Sequence, residues 1–127
     1  MFTKRLTTKG VGDDGEARAL AHLLRQGLVL VQRNYRVAGG PRQRGGEVDL
    51  ILREPADGTL VFVEVRSRRR SEHGGAAASI GAVKRRSIVL AARHYLLRFA
   101  TPPPCRFDVV AIDGDDLDWL RGAFDAG

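Results

Sequence analysis

The chain has 127 residues, 43% of them hydrophobic and 28% charged, a balance that suits one globular domain and excludes a disordered one. It has no run of about 18 apolar residues to span a membrane, no apolar leader, and a single cysteine, Cys105, so a cytoplasmic protein without disulfides is expected. The net charge of +6 is unevenly spread: residues 1–106 hold 20 Lys and Arg against 9 Asp and Glu, while residues 107–127 hold one Arg and six Asp.

In chain order, residues 1–12 read as a flexible basic arm. A first helix is predicted from Asp13 or Asp14 to Gln26. Ala17, Leu20, Ala21 and Leu24 recur at helical spacing, Leu23 widens the stripe, and Gly27 marks the stop. Glu16 falls in the first turn, where an acid complements the helix dipole. Leu28–Val37 follows as a strand, with Leu28 to Val31 buried and Arg33 to Arg36 trailing outward. The next loop, Ala38–Gly46, carries Arg42 and Arg44 among glycines and reads as mobile. It lacks the Gly-Lys-Ser/Thr ending of a P-loop, which excludes nucleoside triphosphate binding there.

Two short strands, Gly46–Leu52 and Leu60–Arg66, flank a turn of Pro, Asp and Gly composition. A basic loop with Arg68, Arg69 and Arg70 leads into a second helix over Ser79–Phe99. Its predicted apolar face is Ile80, Val83, Ile88, Ala91, Ala92, Tyr95 and Leu96, and Pro102 to Pro104 stop it. Arg106–Ile112 is the last main strand. Residues 113–127 form an acidic extension in which Leu117–Leu120 adds a short edge strand, with Trp119 and Phe124 capping the sheet edge or meeting a partner. The order α-β-β-β-α-β predicts a single α/β domain, a mixed sheet flanked by helices. His22, His73 and His94 have no metal-ligand spacing and read as surface or packing residues.

The two middle strands carry the chain's one cluster of acids set into hydrophobic sequence. Period-two alternation puts Val48, Leu50 and Leu52 on one face and Glu47, Asp49 and Ile51 on the other. In the second strand Val61, Val63 and Val65 oppose Phe62, Glu64 and Arg66. If the turn centres on Ala56 and Asp57, Asp49 faces Glu64 and Glu47 faces Arg66. Directly opposed carboxylates, with Cβ atoms about 4.5–5.5 Å apart, are destabilising. A divalent cation would reverse that sign, and Mg²⁺ suits one or two carboxylates. The plain alternative is a solvated face, with Glu47 and Arg66 as an ordinary cross-strand pair.

Gly15-Glu16-Ala17, Arg33-Asn34-Tyr35-Arg36, Gly46-Glu47-Val48-Asp49-Leu50-Ile51, Phe62-Val63-Glu64-Val65-Arg66 and Arg106-Phe107-Asp108-Val109 together resemble the YraN-like family of bacterial proteins. That family belongs to the PD-(D/E)XK nuclease superfamily, with its restriction-endonuclease-like core, and is similar to the archaeal-type Holliday-junction resolvases. The resemblance covers nearly the whole chain. It implies Asp49 as the metal-binding Asp, Glu64 as the acid of the Glu-x-Lys motif, and Glu16 as the helix-one Glu that completes the site. The backbone carbonyl of Val65 becomes a further candidate ligand, Glu47 belongs to the pattern, and Arg66 stands in the place of the Lys.

Arg66 is the departure. An arginine keeps positive charge near a phosphate, but it is effectively never deprotonated and cannot act as a base. Three readings follow: the substitution still functions in a chain with 18 Arg and 3 Lys, activity is weakened or lost, or Lys84 reaches the site from the second helix. For Lys84 the alternative is a partly buried stem with its ammonium in water.

The expected function is hydrolysis of phosphodiester bonds in DNA, branched DNA included, by a Mg²⁺- or Mn²⁺-dependent endonuclease. Arg42, Arg44, Arg68, Arg69, Arg70, Arg85 and Arg86 would track the nucleic-acid backbone. DNA is favoured over RNA as the partner, with no membrane, and a homodimer would suit paired cuts at a junction. The rival is a non-catalytic nucleic-acid-binding module on the same scaffold. A third expectation is a protein-interaction subunit that uses the acidic C-terminal stretch.

Overall fold

Leu, Val, Ile and Phe are dense enough in the middle of the chain to be buried on both faces of a sheet, and that is where they lie. The structure, a computed structural model, describes residues 8–68 and 80–126. Its elements are α1 (Thr8–Arg25), β1 (Val29–Val37), β2 (Gly46–Arg53), β3 (Leu60–Arg68), α2 (Ala82–Leu96), β4 (Cys105–Asp113) and β5 (Asp116–Phe124). The five strands form one sheet in the order β1-β2-β3-β4-β5, antiparallel except for the parallel pair β3–β4. A parallel neighbour cannot be reached by a tight turn, so the chain crosses over between β3 and β4, and α2 lies on that connection. The predicted α-β-β-β-α-β order and mixed sheet hold, with β5 as an added edge.

One core lies on each face. Ala19 and Leu23 of α1 pack with Leu50, Leu52, Val61, Val63, Val110 and Ile112. Ile88, Val89, Ala91, Ala92 and Tyr95 of α2 pack on the other face with Tyr35, Val48, Ile51, Phe62 and Phe107.

Several boundaries and faces differ from the sequence expectation. Helix α1 opens at Thr8, so residues 8–12 are helical and not part of an arm. Its buried face is Gly15, Ala19 and Leu23 at i, i+4 and i+8, while Ala17, Ala21 and Leu24 point to solvent. An Ala- and Leu-rich helix offers two stripes, and the one with the smaller residues wins because it lets the helix approach the sheet. A Cβ on Gly15 would already lie 3.1 Å from the Ser67 Cβ. Val29 and Val31 of the edge strand β1 are exposed and Tyr35 is buried, the reverse of the expected polarity. Val83 is likewise exposed, not part of the α2 core.

The extension after residue 112 forms a nine-residue strand, not a short one. What holds it is Asp108, a fully buried carboxylate. It accepts hydrogen bonds from Arg106 Nε (3.0 and 3.2 Å), Trp119 Nε1 (2.9 Å) and the Gly122 amide (2.9 Å). Arg106 also reaches Glu54 in the β2–β3 turn through Nη1 at 3.0 Å. The Arg106-Phe107-Asp108-Val109 motif is therefore a latch between β4, β5 and the hairpin. Trp119 bonds to Asp108 and Phe124 stacks on Phe107 at 5.1 Å, so both cap the sheet edge while staying half-buried. The histidines pack as expected where they are described. His22 meets the edge of Trp119, and His94 Nδ1 lies 2.6 Å from the Tyr35 hydroxyl. His73, Arg69 and Arg70 lie outside the described residues.

Candidate functional site

The β2–β3 hairpin has the register its turn predicts: Arg53 pairs with Leu60, Leu52 with Val61, Ile51 with Phe62 and Leu50 with Val63. That pairing gives way at the next step, where Asp49 and Glu64 would follow. The Asp49 carboxylate takes a backbone role there: its Oδ2 accepts a hydrogen bond from the Val65 amide at 2.8 Å.

The cause lies in β1 and β2 together. Tyr35 pairs with Val48, and both face α2; Arg33 pairs with Leu50, which faces α1. Each strand therefore switches face across one residue, Asn34 in β1 and Asp49 in β2. Val48 consequently lies opposite to Leu50 and Leu52, contrary to the simple alternation. Asn34 has φ 51°, the one positive φ at a non-glycine among the described residues. Asn tolerates that left-handed conformation better than most residues. The Asn34 irregularity lies beside the point at which Asp49 reaches across to β3. The same switch moves Glu47 away from Arg66. Glu47 pairs instead with Arg36, its cross-strand neighbour, at 3.4 Å, and its amide donates to Ser87 Oγ at 3.1 Å.

Glu64 follows Phe62 onto the α2 face, where it is only 2% exposed. A buried carboxylate is costly unless it is neutralised. Burial first, and the neighbouring Asp49 carboxylate second, push Glu64 up from 4.5 to about 8, although Lys84 and Arg66 pull it part of the way back. Its Oε1 is buried and has no hydrogen-bond partner, while its Oε2 lies 3.6 Å from Lys84 Nζ. Lys84 therefore does reach the acid pair from α2, against the expectation of an ammonium simply held in water.

Glu16 on α1 faces the edge strand β1. Its Oε1 lies 3.6 Å from Arg33 Nη2, and no group of three His, Cys, Asp or Glu side chains placed to share one ion occurs among the described residues. The acid pair still suits a hard divalent cation on chemical grounds. Two carboxylates adjoin, one oxygen is buried without a partner, and a monovalent cation already sits beside the other.

Lys84 also lines a groove of about 1530 Å³ between α2, the loop after β1 and the end of β5. Arg42, Arg44, Arg85, Arg86 and Arg93 line it too, against one acid among the described residues, Asp125. Three of these cations, Lys84, Arg85 and Arg86, sit at the start of α2, whose first turn holds no acid. Positive side chains at the positive end of a helix dipole cost stability, about 0.3–1 kcal/mol each at a surface. An anion bound there would remove that cost. Arg93 was missed in the sequence, since only the fold carries it round to Arg42 and Arg44. Arg68 does not join them: it ends β3, and its carbonyl accepts from the Gly114 amide at 2.8 Å.

No described helix is long and apolar enough to cross a membrane. A family model described as uncharacterised protein family UPF0102 matches residues 15–112. A UPF0102 protein of Methylibium petroleiphilum is 71% identical over 95% of this chain and 98% of its own length. One of Acidovorax sp. is 66% identical over 94% of this chain and 88% of its own, and one of Paracidovorax citrulli 61% identical over 98% and 89%.

Proposed function

This chain belongs to the UPF0102 family, the YraN-like family its motifs resemble, and from its acid pair and basic groove we propose that it is a metal-dependent nuclease hydrolysing phosphodiester bonds in DNA. The observation that carries the proposal is Glu64: a buried acid beside Asp49, with one unpartnered oxygen, joined through Lys84 to a groove of arginines. A buried carboxyl group beside a second one is costly unless a proton or a cation neutralises the pair, and a divalent cation is the neutraliser that phosphodiester chemistry would use. The expected PD-(D/E)XK relationship supports the same reading.

Asp49, Glu64 and the Val65 carbonyl would hold Mg²⁺ or Mn²⁺. When bound, such an ion makes water a stronger acid and offsets negative charge growing on a phosphate. Hydrolysis adds water to phosphorus, breaks one P–O ester bond and returns the proton to the departing oxygen. Arg66 cannot take a proton, so its role is electrostatic: a fixed positive charge beside the scissile phosphate.

The groove cations would grip the backbone. Among the described residues Phe124 is the one aromatic ring lining the groove; it stacks on Phe107 at 5.1 Å, and the Arg85 guanidinium lies 5.8 Å from its centre. With that ring engaged and the described lining dominated by arginines, the groove suits phosphates read without regard to sequence.

The test is cleavage of branched, single-stranded and duplex DNA with Mn²⁺ by the wild type, Asp49→Ala and Glu64→Ala. Cleavage by the wild type that both variants lose supports the proposal. DNA binding with no cleavage of any substrate would leave the non-catalytic binding module, a reading that Arg66 in the lysine position favours.

A further inference from the structure

We infer that Lys84 serves two positions, the acid pair and the groove, and that a divalent cation at the acid pair decides between them, so that cation binding and DNA binding reinforce each other through this one side chain. The inference rests on the proposed metal-dependent reading and adds its regulation.

The geometry is particular to Lys84. Its Nζ lies 3.6 Å from Glu64 Oε2, yet its side chain is 37% exposed where that of Glu64 is 3% exposed. It also lines the groove, three residues into α2 beside Arg85 and Arg86. Its ammonium is a compact charge on a flexible four-carbon stem, so it can move several ångströms without disturbing the helix. Without a divalent ion, the Lys84 ammonium rests 3.6 Å from the buried Glu64 carboxyl group. If Asp49 and Glu64 held a divalent ion, Glu64 would no longer need the ammonium and Lys84 would be repelled from the acid pair. The side chain then turns outward, where the groove offers a phosphate as its next partner.

Thermodynamic reciprocity fixes the signs. Lys84 competes with the metal when DNA is absent, and it adds a phosphate contact when the metal is bound. A residue that merely supported the metal ligands would give the opposite first sign, since removing it would weaken metal binding.

The experiment is calorimetric titration of the folded protein with Mn²⁺, then with a short DNA duplex in the presence and absence of Ca²⁺. It compares wild type, Lys84→Met, which keeps much of the aliphatic stem, and Lys84→Gln as a second variant. Without DNA, both variants should bind Mn²⁺ about two- to fivefold more tightly than wild type, the scale of a partly exposed ion pair. Addition of Ca²⁺ should steepen the wild-type salt dependence of DNA binding by about 0.9 in log–log slope, one phosphate contact, and should not do so in the variants. Arg93→Met, in the same groove, should weaken DNA binding under both conditions without raising Mn²⁺ affinity.

Wild-type protein that binds Mn²⁺ while the Lys84 variants bind it equally or more weakly overturns this inference and leaves the acid-pair proposal standing. Wild-type protein that binds no divalent cation removes both.

Discussion

Replacing Glu64 by Gln keeps the shape of the buried side chain and removes its titration, which isolates the electrostatic demand of the site. In the metal-free protein Glu64 titrates near 8, against 4.5 for an ordinary glutamate, because burial and Asp49 both oppose its charge. Below pH 4.5 the folded and unfolded chains both carry the proton, and the stabilising contribution is complete. Between 4.5 and 8 the unfolded chain releases the proton while the folded chain keeps it, so stability falls as pH rises. Above 8 both forms are ionised and the loss is finished. The total is up to roughly 5 kcal/mol, at 1.36 kcal/mol for each tenfold difference in proton affinity. Urea unfolding in a chelating buffer from pH 4 to 9, on wild type and Glu64→Gln, measures it. The variant should match the wild type within about 1 kcal/mol near pH 4.5 and exceed it by several kcal/mol near pH 8.5. Saturating Mn²⁺ at pH 8.5 should restore the wild type by about 2.7 kcal/mol at a hundredfold excess over Kd, and should do far less for the variant. A difference between the two proteins that stays constant or reverses across this range would refute the account of Glu64 as a buried acid awaiting a cation.

Asp108→Ala should destabilise the fold by about 3–5 kcal/mol in denaturant unfolding, because it leaves Arg106 Nε, the Trp119 indole and the Gly122 amide without their acceptor together. Gly46→Ala should cost about 1–3 kcal/mol, since a Cβ there would lie 2.5 Å from the Ser87 carbonyl oxygen and 3.0 Å from the Ala91 amide, forcing α2 off the sheet. Thermal melting of that variant checks it, with an unchanged midpoint as the contrary result. Arg86→Ala and Arg93→Ala should each lower the salt slope of DNA binding by about 1 and weaken all sequences alike. A sequence-selective loss in competition binding would count against a backbone-reading groove.

The hairpin was legible because its determinants are local. Alternating apolar residues and a Pro-Asp-Gly turn specify β2, β3 and their register, and Asp57 Oδ1 accepting from the Thr59 amide at 3.0 Å holds that turn. The candidate acids could be named for the same reason, since Asp49 and Glu64 lie on neighbouring strands. The face switch at Asn34 and Asp49 was not legible, because it needs irregularities in two strands to coincide. The full length of β5 was hidden too: alternation stops after Trp119, and the rest is tied down through the Gly122 amide by Asp108, a side chain of another strand.

By itself the sequence determined the order of elements, the uneven spread of charge and the placing of two acids in hydrophobic strands. These follow from spacing and composition over a few residues. Only the tertiary structure decided which charges meet. Glu47 went to Arg36, Glu16 to Arg33 and Lys84 to Glu64. It also decided that Arg42, Arg44 and Arg93, distant in the chain, share one groove. Charge interactions depend on distance and burial, and neither exists until a helix has been laid across a sheet.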